Sequence, residues 1–267
     1  MLKFNIDLKN KINSNFPYLV ENNFIDELDL ENLNNTFPYF LFDKIDTKFK
    51  RKNINFKNKH FQKFCNGNTS WQKLSDLIYS KNFAKKIIDV FIEDLNKSLN
   101  GFSLDNPTFY RENIFKDDLK KQLNFNDKIK IKFSKIKKIL SNEINYNKIK
   151  IQALCAQSIS NYGKNIHLDG RSKLIVGLFY LNDMEGLTKL NLYKKNSSKK
   201  FTYEKNNFIE DRNVDILDSI EIKKNKLVLF ANTPLSFHGV NNSVHNKKRN
   251  FIYFSFGYES NFSPWKI

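Results

Sequence analysis

Cysteine is scarce in this chain: 267 residues carry only Cys65 and Cys155. Two thiols do not make a disulfide framework, so stability has to come from a packed apolar core. Long apolar runs are also missing. The longest, Leu174 to Leu181, is far short of the ~18 residues of a membrane span. The first residues, Met1-Leu2-Lys3-Phe4-Asn5-Ile6-Asp7, contain no apolar stretch of the kind a signal peptide needs. These absences predict a soluble, cytoplasmic protein. Arginine is rare, at 51, 111, 171, 212 and 249 only, although the net charge is +17. The excess is therefore lysine, spread through every segment. That pattern reads as a solvated surface more than as a concentrated nucleic-acid footprint. No internal repeat is present.

What is abundant is apolar and aromatic: 40% hydrophobic residues, with 26 Phe and 11 Tyr, enough for a substantial core. The length suits one domain, 1–267, with an N-terminal helical and extended portion over 1–145 and a strand-rich core over 146–260. Phe16-Pro17-Tyr18-Leu19-Val20 reads as extended. Asp26 is placed to cap a short helix carrying Leu28, Leu30 and Leu33, closed by Phe37-Pro38. Residues 44–68, basic and without periodicity, read as a long loop. Ser70-Trp71 opens a more regular region. Behind Ser80, the residues Phe83, Ile87, Ile88, Val90, Phe91 and Leu95 recur at helical spacing and predict an amphipathic helix packed on a sheet. Lys128 to Phe133 alternates like a half-exposed strand.

From about residue 147 the pattern becomes a series of strands: Lys148–Ser158, Leu174–Leu181, Leu187–Tyr193, Val214–Ile222, Lys226–Phe230 and Arg249–Tyr258. Turn signals such as Lys224-Asn225 and Asn241-Asn242 separate some of them. The expected fold class is α+β, mainly β: a jelly roll or cupin-like double-stranded β-helix with N-terminal helices packed on the sheet.

Against that scaffold His167-Leu168-Asp169 stands out, with His238 further on and then Arg249. On a strand, residues i and i+2 point the same way, so His167 and Asp169 can aim together into the mouth of a barrel. Two imidazoles and one carboxylate are the ligand set of non-haem Fe(II) oxygenases and leave positions open for other ligands. An arginine shortly after the second histidine suits a carboxylate. Three residues are a short motif, so their surroundings matter. His60 and His245 lie in polar, lysine-rich stretches and read as surface residues.

Those surroundings have a family order. After His-x-Asp comes a buried strand ending in Tyr180-Leu181-Asn182, then Gly186-Leu187-Thr188-Lys189-Leu190. The strand Leu227–Phe230, His238-Gly239-Val240 and an aromatic strand led by Arg249 follow. In this order the chain resembles the 2-oxoglutarate/Fe(II)-dependent dioxygenases, and within them the prolyl-hydroxylase-like branch. The resemblance is strongest over 150–258, touches the N-terminal run Pro17–Val20, and fades between 40 and 145.

The resemblance implies that His167, Asp169 and His238 hold Fe(II), with 2-oxoglutarate and O₂ as co-substrates and ascorbate as an accessory reductant. It implies a hydroxylase acting on a C–H bond of a peptide residue or small metabolite, releasing succinate and CO₂. Arg249 would pair with the distal carboxylate of 2-oxoglutarate. It falls 11 positions after His238, a residue or two further than usual in that branch, so Lys248 is its rival; the bidentate fork of arginine favours Arg249. Tyr180 would donate to the same carboxylate, with Gln157 as a further co-substrate candidate and Arg171 as a substrate contact. Two other readings stay open: an oxygenase or demethylase acting on nucleic acid, and a non-catalytic jelly-roll binding module. Oligomeric state is not legible.

Overall fold

The computed structural model describes residues 2–43, 50–101, 103–111, 147–158, 162–196, 207–241, 247–258 and 263–266. The N-terminal part contains β1 (Lys11–Ile12), β2 (Tyr18–Glu21), α1 (Glu27–Asn35), α2 (Tyr39–Asp43) and β3 (Arg51–Asn55). It continues through α3 (Lys59–Asn66), α4 (Thr69–Ile78), α5 (Lys81–Ser98) and β4 (Thr108–Arg111). The strand-rich part contains β5 (Lys148–Ser158), β6 (Lys164–His167), β7 (Lys173–Tyr180) and β8 (Lys189–Lys195). It ends with β9 (Val214–Glu221), β10 (Lys226–Ala231), β11 (Phe237–Val240) and β12 (Arg249–Gly257). The expected strand at Lys128–Phe133 lies outside the described residues.

The larger sheet runs β1-β2-β10-β7-β12-β5-β3, with β4 added in parallel to β5; all its other pairings are antiparallel. The smaller sheet runs β6-β11-β8-β9. Alternation along each central strand of the larger sheet explains the layering. Ile252, Phe254 and Phe256 of β12 join one apolar cluster with the helices, as do Ile175 and Phe179 of β7. Phe251 and Tyr253, with Val176, Leu178 and Tyr180, join a second cluster shared with Leu190, Leu192 and Ile220 of the smaller sheet. Both faces of β7, β10 and β12 are thus covered, which is why β7 and β10 read as unbroken apolar runs and β12 as an aromatic strand.

Helix α5 forms as its spacing predicts. The Ser80 hydroxyl caps it by accepting from the Phe83 amide at 3.2 Å, and Phe83, Ile87, Phe91 and Leu95 are fully buried. Phe83 stacks its ring 5.7 Å from that of Phe254 on β12. Gly177 on β7 leaves room for Phe254, since a Cβ there would sit 2.2 Å from the ring. Asn225, at φ 60° in the turn before β10, clamps the N-terminal segment. Its side chain accepts from the Ile25 amide at 3.0 Å and donates to the Ile25 carbonyl at 2.7 Å.

Three expectations need correction. Residues 50–68 are not a loop: β3 and α3 lie there. The alternation in β3 (Lys52 and Ile54 buried, Asn53 exposed) is masked in the sequence because the buried polar member, Lys52, satisfies its ammonium on the Phe42 carbonyl at 3.0 Å. In α1, capped in position by Asp26 but without a side-chain cap bond, Leu30 and Leu33 are buried whereas Leu28 is 71% exposed. His60, read as a loop residue, is an exposed residue of α3; His245 lies outside the described residues. No helix among the described residues is long and apolar enough to cross a membrane.

Candidate metal centre

His167 is the last residue of β6 and pairs directly with His238 on β11. Asp169 follows two residues on, past the end of the strand. The three side chains each offer a ligand atom within 4.8 Å of the other two, and all three are buried. The backbone orients both imidazoles in the same way. His167 Nδ1 lies 2.8 Å from the Asn165 carbonyl, and His238 Nδ1 lies 3.1 Å from the Ser236 carbonyl. A carbonyl only accepts, so each Nδ1 carries the hydrogen and each Nε2 presents a bare lone pair. His167 Nε2 is buried with no hydrogen-bond partner among the described residues. An orphaned acceptor beside a carboxylate is what a metal ion satisfies. Two neutral imidazoles and one carboxylate fit a divalent transition metal of the iron type.

Electrostatics keep these groups in their metal-ready forms. Burial, followed by repulsion from His238 and Lys164, lowers the His167 pKa to about 2. Burial alone dominates at His238, whose pKa falls to about 4 although Asp169 opposes the shift. Burial pushes Asp169 upward, but Lys173, His238, Lys164 and His167 together outweigh it and hold the carboxyl below the usual carboxylate range. The metal-free chain should therefore lose stability on mild acidification. Between folded values of about 4 or lower and the unfolded value of about 6.5, the unfolded state takes up more protons, so stability rises with pH. Each histidine contributes about 2 kcal/mol of loss between pH 7 and pH 5. Urea midpoints of metal-free protein at the two pH values check this, and a flat profile would contradict it.

Asp169 is held from two sides. Tyr253 Oη donates to its Oδ2 at 2.8 Å, and Lys173 Nζ lies 3.6 Å from Oδ1 while donating to the Tyr253 hydroxyl at 2.5 Å. Tyr253→Phe should weaken metal binding about ten-fold, the lower end of what outer-shell partners contribute, with the fold intact. A Mn(II) titration of the purified variant measures this; unchanged affinity would show that the hydrogen bond does not position the carboxylate.

Across the same cavity lies Arg249, 3% exposed at the start of β12. Its Nε and one terminal nitrogen are buried with no hydrogen-bond partner among the described residues. The guanidinium carbon sits 5.1 Å from the Phe251 ring centre and 5.4 Å from that of Tyr162. Tyr180 lines the cavity beside it, its pKa raised to about 12 by burial despite the opposing charges of Arg249 and Arg51. An unpaired buried guanidinium flanked by aromatic faces is a receptor for an anion.

No family model matches the chain, and no curated protein matches it. A solved prolyl 4-hydroxylase from Phytophthora capsici is similar at a TM-score of 0.50 and 10% identity, over 91% of this chain and 59% of that one. The chain shares the fold of that structure. Two further solved structures fall just below that likeness, each with a TM-score of 0.49. A prolyl hydroxylase from Trichoplax adhaerens, in complex with a peptide of a hypoxia-inducible factor, is 13% identical over 91% of this chain and 84% of that one. HygX from Streptomyces hygroscopicus, with nickel and 2-oxoglutarate bound, is 10% identical over 93% and 85%.

Within the cavity, strand phase separates the remaining candidates. Arg249, Phe251 and Tyr253 share the cavity face of β12; Lys248 is out of phase and exposed, its carbonyl accepting from Asn182 Nδ2 at 2.9 Å. Gln157 points to the helix side, where its amide donates to Asn250 Oδ1 at 3.1 Å. Arg171 is half-buried, does not line the cavity, and offers its carbonyl to the Trp265 indole at 3.0 Å. Neither Gln157 nor Arg171 reaches the cavity, contrary to expectation, because each sits on the wrong phase or beyond the rim.

Four cavity residues were not anticipated: Arg51, Tyr162, Lys164 and Tyr253. Tyr253 was within reach of the sequence, since it lies four positions after Arg249 on a strand and so shares its face. Arg51 was hidden by the apparent loop. Lys164 was hidden by a bulge. Pairing of β6 with β11 shifts between His238 and Val240, so three steps on β6 match two on β11. The extra residue turns Lys164 to the same side as His167, where an ideal strand would put them on opposite faces. Gly239 accommodates the bulge, as a Cβ there would lie 2.9 Å from the Lys164 carbonyl.

Proposed function

We propose that this chain is a 2-oxoglutarate- and Fe(II)-dependent dioxygenase, one oxygenase domain over 1–267 built on a double-stranded β-helix, that hydroxylates a C–H bond of a peptide residue or small metabolite. The observation that carries the reading is the pairing within one cavity of a His-Asp-His cluster and a buried, unpartnered arginine. In this reading His167, Asp169 and His238 hold Fe(II), and Arg249 binds the distal carboxylate of 2-oxoglutarate, with Tyr180 alongside. Bound Fe(II), with 2-oxoglutarate and O₂, supplies oxidative decarboxylation to succinate and CO₂ coupled to oxidation of the substrate C–H bond. The protein's own residues supply geometry and dryness.

The Asn165 and Ser236 carbonyls keep both Nε2 atoms aimed at one point. Tyr253 and Lys173 hold the Asp169 carboxylate in place and ionised. Val176, Leu178, Leu190, Val240 and Phe251 line the same cavity and exclude water from it. Arg249, stacked between Tyr162 and Phe251, would fix the co-substrate's far end and so its orientation at the metal. The reading is tested by incubating purified protein with Fe(II), 2-oxoglutarate and O₂ and measuring succinate. Slow substrate-independent succinate formation that disappears without Fe(II) is expected. Binding of Fe(II) and 2-oxoglutarate without any succinate, in the presence of cell extract as a substrate source, would favour the non-catalytic binding module instead.

A further inference from the structure

With the metal trio and Arg249 assigned, two cations in the same cavity are left without a role. Arg51 on β3 and Lys164 on β6 both line it. Arg51, Ser158 and Arg249 stand in one register row across β3, β5 and β12, so Arg51 emerges on the cavity face. Its guanidinium carbon lies 5.0 Å from the Phe251 ring centre and 5.6 Å from that of Tyr253. Its Nε donates to Asn53 Oδ1 at 2.8 Å, which leaves both terminal nitrogens without a hydrogen bond among the described residues. Lys164, turned inward by the bulge, has no hydrogen bond or salt bridge among the described residues; burial lowers its pKa to about 8, Asp169 opposes the shift, and the charges of Arg51 and Lys173 add to it.

Charge balance decides what they await. Three cations (Arg51, Lys164 and Arg249) and a single carboxylate, Asp169, line the cavity. A divalent metal and a dianionic co-substrate cancel each other, so the loaded site keeps a surplus of two positive charges. The remaining lining is largely apolar and aromatic, where uncompensated charge is expensive. Arg51 and Lys164 are both half-buried, and an anionic third group would neutralise them. A fork of terminal nitrogens beside a point-charge ammonium matches a planar carboxylate. Leu190 and Val240, which line the same cavity, offer an apolar wall for an attached carbon chain.

We infer that the substrate is a small carboxylic acid whose carboxylate is held by Arg51 and Lys164, with the carbon chain directed at the metal centre. The inference rests on the dioxygenase reading and adds the substrate class to it. The test uses the full chain loaded with Mn(II) and 2-oxoglutarate, and butyrate, n-butanol and n-butylamine as probes. Paramagnetic broadening of each probe's proton resonances reports binding beside the metal. Butyrate should be broadened saturably, and the alcohol and amine should not. Arg51→Gln and Lys164→Gln should each weaken butyrate binding about ten-fold, as loss of one charge-assisted partner does, and Arg51→Lys should retain most of it. Affinity for 2-oxoglutarate, followed by calorimetry, should stay within about two-fold in all three. Equal binding of the alcohol or amine overturns the inference, as does butyrate binding that ignores both glutamine variants. A parallel loss of 2-oxoglutarate affinity reassigns the two cations to the co-substrate and also overturns it. Displacement of butyrate by a short single-stranded oligonucleotide at physiological salt would overturn it in favour of a nucleic-acid substrate. Failure of the wild-type chain to bind Mn(II) or 2-oxoglutarate shows directly in the calorimetry and overturns the dioxygenase reading itself, and the inference with it.

Discussion

Arg249→Leu should reduce affinity for 2-oxoglutarate by two to three orders of magnitude while leaving the metal-free protein as stable as the parent. The two halves of this expectation come from one fact: a buried guanidinium with Nε and a terminal nitrogen unpartnered. Without co-substrate the charge is a liability, and its burial already disfavours the charged form. Replacing such a group by an apolar one of similar size is typically neutral or stabilising. What leucine loses is stacking on Phe251 and Tyr162, about 1 kcal/mol, and the two effects roughly offset. With co-substrate the balance reverses, because leucine leaves a buried carboxylate uncompensated, at about 3–4 kcal/mol. That is roughly 10²–10³-fold in the dissociation constant. Lys248→Leu, just before β12, out of phase with Arg249 and exposed, is the control and should change neither quantity. Calorimetric titration of 2-oxoglutarate into Mn(II)-loaded variants, with urea melts of the metal-free forms, measures both. Equal loss in both variants, or in neither, would remove Arg249 as the anchor.

The second large effect is expected at Asp169. Asp169→Ala removes the one carboxylate of the ligand cluster and leaves two neutral imidazoles, which hold a dication weakly. Metal affinity should fall by more than the roughly 10–100-fold that an outer-shell partner is worth, and succinate formation should vanish even with excess Fe(II). The same substitution should also destabilise the metal-free fold. Lys173, 3.6 Å from the carboxylate, and Lys164 would face each other without the anion that balances them, and the Tyr253 hydroxyl would lose its acceptor at 2.8 Å. Asp169→Asn keeps the shape and the hydrogen-bond acceptor, so it separates charge from packing. Its metal loss should approach that of the alanine variant, while its stability should lie closer to the parent. Retention of metal and turnover in Asp169→Ala would place the chemistry elsewhere.

These expectations differ in how far they could be seen in the chain itself. The strands β7 and β10 were legible because apolar residues run through them without a break, as burial on both faces demands, and β5 and β12 because apolar or aromatic residues recur at alternate positions. Helix α5 was legible because its apolar spacing and Ser80 cap agree. β3 was not, since its buried positions include a lysine whose ammonium finds a carbonyl 10 residues away, a contact that no local pattern announces. The choice between Arg249 and Lys248 needed the phase of β12 relative to its neighbours. Counting from His238 gives either residue, whereas register with Ser158 puts Arg249 on the cavity side.

His167, Asp169 and His238 were determined by the sequence as chemistry: two imidazoles and a carboxylate in an order that resembles one family of metal sites. What only the tertiary structure decided is how the groups around them point. Side-chain direction in a strand obeys a period of two only while pairing is regular, and one extra residue in β6 turned Lys164 to the His167 side. Arg51 reached the same cavity through a pairing of β3 with β5 that spans about a hundred residues of chain. Contacts of that range are set by which sheets close on each other, and no local preference of the residues encodes them.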